Sequence, residues 1–104
     1  MKLTEEKREL NNILLRRYHS ANDYDEKYKC LLELFNHNID LVSYVVYNEF
    51  PDRGINYIEE GLIGLRIAIE NYEMDKICSF EEFILSSVRN QIMGSNNMGN
   101  QKKR

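Results

Sequence analysis

A chain of 104 residues is long enough for one modest hydrophobic core and too short for two independent ones. Hydrophobic residues make up 42% and charged residues 30%, a balance that belongs to a folded globular domain and excludes a wholly disordered chain. The formal net charge of −3 argues against a free-standing duplex-DNA binder, which needs a basic excess to displace counterions, and no apolar run approaches the roughly 20 residues that span a bilayer.

From the N-terminus, Leu3, Leu10, Ile13, Leu14 and Tyr18 recur at near-helical spacing. Thr4 followed by Glu5 and Glu6 suits a capped start with acids at the positive end of the helix dipole. This predicts a helix from Thr4 to His19, ended by the polar run Ser20 to Asp23, so that residues 1–23 form an N-terminal helix and loop.

The longest segment starts at Tyr24. Tyr28, Leu31, Leu32, Phe35, Ile39, Val42, Val45 and Val46 keep a helical period, which outweighs the local strand preference of the β-branched run from Val42 to Val46. Asn36, His37 and Asn38 are its weak place, where a bend or a cap is expected. Pro51, Asp52, Arg53 and Gly54 form a turn signal that stops it.

A third helix carries Ile58, Leu62, Leu65, Ile69 and Tyr72 on one stripe, and Ile63 and Ile67 are expected to widen that stripe so that the helix is wedged into the core. Gly61 and Gly64 sit inside it at a cost of about 1 kcal/mol each relative to Ala, which calls for the close approach of a neighbouring backbone. After a charged connector from Glu73 to Cys78, Ser79-Phe80-Glu81-Glu82 matches a capping box. The fourth helix is expected to end near Met93 at Gly94, closing a helical domain of residues 24–94. Residues 95–104 read as a flexible basic tail ending in Lys102, Lys103 and Arg104.

Chemistry-bearing groups are sparse. His19 and His37 stand apart with no metal-ligand spacing around either, and no phosphate-binding, dinucleotide or nucleophile-elbow motif is present. Glu59 and Glu60 are adjacent, hence about 100° apart around a helix, and do not face each other as an acid/base pair. The chain therefore reads as a non-enzyme with no cofactor and no metal. Cys30 and Cys78, with neither a paired spacing nor a secretory segment before them, read as reduced, buried thiols in a cytoplasmic protein.

The order of parts from Ile39 to Ile92 is IDLVSYVVYNEF, a turn, YIEEGLIGLRIAIENYE, a connector, then SFEEFILSSVRNQI. It resembles region 2 of bacterial sigma factors. The family pattern has a helix with a Leu-Val pair, a helix of the form D-L-I-Q-E-G-x-I-G-L-x-x-A-(V/I)-x-x-(F/Y), and a helix opening F-S-x-Y-A. Leu41 and Val42 match the first. Ile58, Glu60, Gly61, Ile63, Gly64, Leu65, Ala68, Ile69 and Tyr72 match the second at unbroken spacing, and Phe80, Phe83, Val88, Arg89 and Ile92 follow the third. The family's leading Asp is Asn56 here, and its Gln is Glu59.

The resemblance implies an all-α fold, a small bundle of about four helices. It further implies docking of Asn56, Glu59, Glu60, Leu62 and Arg66 on the clamp-helix coiled coil of the largest subunit of core RNA polymerase. In the family the last helix captures unpaired bases of the minus-ten promoter element, which assigns Phe80, Phe83, Ser86, Ser87, Arg89 and Asn90 to single-stranded promoter DNA, with Phe83 as the stacking ring. Ser86 and Ser87 replace a tryptophan pair, and Glu81 and Glu82 replace small hydroxyl residues, so this half of the pattern is weakened. Arg89, Lys76 and the terminal Lys102 to Arg104 are the only nearby cations. No helix-turn-helix for the minus-thirty-five element follows Ile92, so a separate region-4-like subunit is the expected partner of a split sigma factor. Two alternatives stand beside this reading: a small helical regulator of a conjugative or phage element without promoter melting, and a helical interaction protein whose likeness is confined to packing.

Overall fold

The computed structural model describes residues 4–52, 55–74 and 78–102, with side chains described as far as Gly94. It is an all-α bundle of four helices: α1 (Glu5–Ser20), α2 (Tyr24–Glu49), α3 (Ile55–Asn71) and α4 (Phe80–Lys102). Among the described residues there is no strand. Each helix packs on its sequence neighbour, and α4 also returns to α2, as short connections favour.

Local signals place the ends. Thr4 takes an extended backbone and its hydroxyl accepts from the Lys7 backbone N–H at 3.2 Å. The glutamates of the next two positions then lie in the first turn, where the dipole favours them. At α4, the Ser79 hydroxyl accepts from the Glu82 N–H at 3.1 Å and donates to the Glu82 carboxylate at 3.3 Å. The carboxylate thus meets the cap's hydroxyl and not its backbone N–H. The turn after α2 includes Pro51 and Asp52, whereas Arg53 and Gly54, like Leu3 and the connector residues Asp75, Lys76 and Ile77, lie outside the described residues.

The core is built from Leu14, Leu15 and Tyr18 of α1, a row of α2 from Cys30 to Val46, Leu65, Ala68 and Ile69 of α3, and Ile84, Val88 and Ile92 of α4. Burying such side chains stabilises by about 1.5–3 kcal/mol each. Leu15, Leu34 and Leu41 replace Ile13, Leu32 and Ile39 as the buried members of their helices, and those three expected residues are exposed. Ile63 and Ile67, expected to widen the buried stripe of α3, are exposed as well, because α2 and α4 cover only the opposite side of that helix.

Two further expectations are corrected. α2 runs unbroken through Asn36, His37 and Asn38, and the reason is tertiary. The Asn38 amide is buried and donates to both the Leu34 carbonyl and the Asn11 side chain at 2.8 Å, while Asn11 donates back at 3.1 Å. With its polar groups satisfied by α1, Asn38 has no cause to leave the helix. α4 likewise does not stop at Met93. Gly94 lacks the left-handed backbone that a terminating cap requires, and helix continues to Lys102. Residues 95–102, assigned to a flexible tail, thus carry helical backbone, and Lys103 and Arg104 lie outside the described residues.

The glycines of α3 do have a packing reason. A Cβ on Gly64 would stand 2.8 Å from the Val88 Cα and 2.9 Å from the Ser87 carbonyl oxygen, so α4's backbone passes directly against it. At Gly61 the close neighbour is a side chain, with Val42 Cγ1 at 2.6 Å. These two contacts let α2, α3 and α4 converge on one point.

Candidate functional site

Because α2 and α4 take the inner side of α3, its outer side is left to solvent. Ile55, Asn56, Glu59, Ile63, Arg66 and Glu70 are exposed there, mixing uncovered aliphatic side chains with carboxylates. Arg66 lies within 3.4 Å of Glu70 one turn on, a surface pair of small energetic weight. Three of the five residues assigned to polymerase docking, Asn56, Glu59 and Arg66, therefore share this face. The other two turn aside. Glu60 is half-buried and accepts a 2.9 Å hydrogen bond from the Gln91 amide of α4, and Leu62 is half-buried against the core.

On α4 the six residues assigned to promoter DNA separate in the same way. Phe80 is buried, its ring centroid 5.1 Å from that of Tyr72, so it is a core residue and presents no face to a base. Phe83 is half-buried, 5.3 Å from Tyr72 on the same ring cluster. Tyr72 donates to the Cys78 carbonyl at 2.9 Å, which ties the end of α3 to the approach to α4. Burial pushes its hydroxyl pKa up, with the Cys78 and Glu82 charges adding to the effect.

Phe83, Ser86, Ser87 and Asn90 line one shallow groove of about 310 Å³ together with Gln91 and with Ile67 of α3. Within it the Ser87 hydroxyl is already engaged, donating to the Gly64 carbonyl at 2.7 Å. Ser86 and Asn90 are exposed. Arg89 does not belong to the groove. Its guanidinium makes two 2.7 Å bonds to the Glu49 carboxylate at the end of α2. Hydrogen bonding to that carboxylate raises the Arg89 pKa, and the same bonds hold Glu49 below its ordinary value. The groove thus contains polar and aromatic atoms but no cation among its lining residues, and Lys76 lies outside the described residues.

Both cysteines are free thiols. Cys30 is buried, as expected, and burial raises its pKa, with neighbouring Glu26 and Glu33 adding to it. Cys78 is only half-buried. Among the described residues no three metal-ligating side chains come together, and no described helix is long and apolar enough to cross a membrane.

One surface escaped the sequence reading. Tyr24, Tyr28, Leu32 and Ile39 leave an exposed apolar ridge along residues 24–39 of α2. Its only sequence signal is that α2 is apolar on two sides at once. Comparison with protein-family models, curated proteins and solved structures returned no match.

Proposed function

We propose that this chain is a sigma-region-2-like subunit that docks on core RNA polymerase through the outer face of α3. The observation that carries the reading is the division of labour within the motif-bearing helix. Gly61 and Gly64 serve packing against α2 and α4, which leaves Asn56, Glu59 and Arg66 beside uncovered Ile55 and Ile63 on the outside. An acidic and aliphatic strip of this kind complements a basic, partly apolar coiled coil, and Glu59 on its exposed face supplies the charge that steers the encounter.

The contact with promoter DNA is the lesser part of the proposal. Phe80 is withdrawn into the core and Arg89 is held by Glu49, so single-stranded DNA would meet Phe83, Ser86 and Asn90 with little stacking surface and no free cation from the groove. These two observations favour, as a second reading, a regulator of a conjugative or phage element that docks on polymerase without melting DNA. A region-4-like polypeptide acting in trans belongs to the first reading alone.

Glu59→Lys is the discriminating substitution, since Glu60→Lys would also break the bond to Gln91 and confuse docking with packing. In a pull-down with purified core polymerase, the wild-type chain binds and Glu59→Lys loses about tenfold or more in affinity while keeping its helical content. Equal binding by the variant, or no binding of wild type at about 10 μM, defeats the docking proposal. Adding single-stranded minus-ten oligonucleotide to the bound complex separates the two readings: the split sigma factor retains it, the non-melting regulator does not.

A further inference from the structure

We infer that Glu49 masks Arg89: its carboxylate fills the side of the guanidinium where a backbone phosphate of single-stranded DNA would bind, so Arg89 meets DNA only when this internal pair opens. The inference rests on the promoter-contact part of the proposed function and names the control of that contact. Between Phe80 and Gly94, Arg89 is the sole cation of α4. Whether it is free or held therefore sets the charge that this stretch of helix offers to a phosphate. Of the acids on the same stretch, Glu81 already lies 3.8 Å from Arg8 of α1, and Glu82 is exposed.

The contact has the form of anion recognition. Nε and Nη2 of Arg89 donate to the two different carboxylate oxygens of Glu49, each at 2.7 Å, which is the fork with which arginine also takes a phosphate. The donors are thus already aligned, with a carboxylate in the anion's place. Released from Glu49, the guanidinium stands one helical turn from Ser86 and next in sequence to Asn90, both exposed residues of the strip assigned to DNA.

The masking group is itself easily displaced. Glu49 is the last residue of α2, where the negative end of the helix dipole disfavours a carboxylate, and the last turn of α2 contains no basic residue to offset it. The bond to Arg89 across the bundle supplies that compensation. The pair is also open to water, with Glu49 33% and Arg89 41% exposed, so no desolvated contact has to be broken to part them. A phosphodiester approaching the outer face of α4 then replaces one oxyanion by another. An exposed pair of this strength reduces the fraction of free arginine, and with it the apparent affinity for DNA, by about three- to sixfold.

Fluorescence anisotropy of a labelled single-stranded minus-ten oligonucleotide, titrated with the full chain at low salt, tests this. Glu49→Gln is expected to bind about three- to sixfold tighter than wild type and to lose affinity more steeply on added salt, because one more phosphate contact forms. The double variant Glu49→Gln/Arg89→Gln binds no tighter than wild type. Glu33→Gln removes the same charge from an exposed site on α2 about four helical turns away and leaves affinity unchanged, which separates masking from the general change in net charge. Circular dichroism checks that each variant keeps its helices. Binding by wild type that Glu49→Gln does not improve overturns the inference and leaves the promoter contact standing. A gain that survives loss of Arg89, or that Glu33→Gln reproduces, overturns it as well. If no variant binds the oligonucleotide at about 500 μM, the promoter contact itself falls and the inference falls with it.

Discussion

At the scale of single residues, Gly64 is the position where sequence and structure meet most directly. A glycine inside a helix is costly unless something needs the space, and here the Val88 Cα and Ser87 carbonyl occupy the volume a methyl group would take. Gly64→Ala therefore sets a propensity gain of about 1 kcal/mol against forced separation of α3 from α4, and the separation wins. The expected outcome is a net loss of about 2 kcal/mol in urea unfolding, together with a weakened Ser87 bond to the Gly64 carbonyl; a variant more stable than wild type would show that α4 can shift at no cost. The paired amides of Asn11 and Asn38 show the reverse relation between sequence and structure. Two asparagines on apolar helix faces look like faults until they are found donating to each other in a buried site.

At the scale of elements, helix starts were legible and helix ends less so. Thr4 and Ser79 each cap as their residue types suggest, since a cap depends on a few neighbouring atoms. Gly94 by residue type suits a helix stop, but glycine only permits the left-handed conformation and does not impose it. Among the described residues, and apart from the helix's own neighbouring backbone, no atom lies within 4 Å of where its Cβ would be. Gly94→Ala should therefore be accepted without a clash and favour the continued helix by up to about 1 kcal/mol, read as increased ellipticity at 222 nm and a higher melting temperature. Reduced ellipticity would mean that in solution α4 ends at this residue. The period of apolar residues also leaves the choice of buried face open, most clearly on α2. Period alone marks Leu32 and Ile39 as well as Leu34 and Leu41, and only the positions of α1, α3 and α4 decide between them.

At the scale of the whole molecule, long-range polar contacts join helices that the sequence leaves unrelated. Lys7 reaches Asp40 at 2.8 Å between α1 and α2, although the second Asp40 oxygen is buried without a partner among the described residues. Glu49 and Arg89 join α2 to α4 through two bonds. Because those bonds hold the Glu49 pKa below its ordinary value of 4.5, their contribution is present at neutral pH and is lost as pH falls through the folded-state value. The side chains are 33% and 41% exposed, so solvent screening limits the pair to about 0.5–1 kcal/mol. Denaturant titrations between pH 7 and pH 3 should show Glu49→Gln less stable than wild type at pH 7 and the two converging at pH 3. A constant difference would assign the loss to packing.

The candidate site divides along the same line. Sequence by itself determined the helical class, the four segments in order, the caps at Thr4 and Ser79, and the need for space at Gly61 and Gly64, because these follow from local backbone preference and from the period of apolar residues. Tertiary structure alone decided which of two apolar faces of α2 is buried, and that Asn56, Glu59 and Arg66 face outward while Glu60 turns to Gln91. It also decided that Phe80 is core, that Arg89 belongs to Glu49, and that a ridge of α2 stays uncovered. Each of those depends on where a distant helix lies. A side chain's neighbours across the bundle set its exposure and its hydrogen bonds, and a one-dimensional pattern does not contain them.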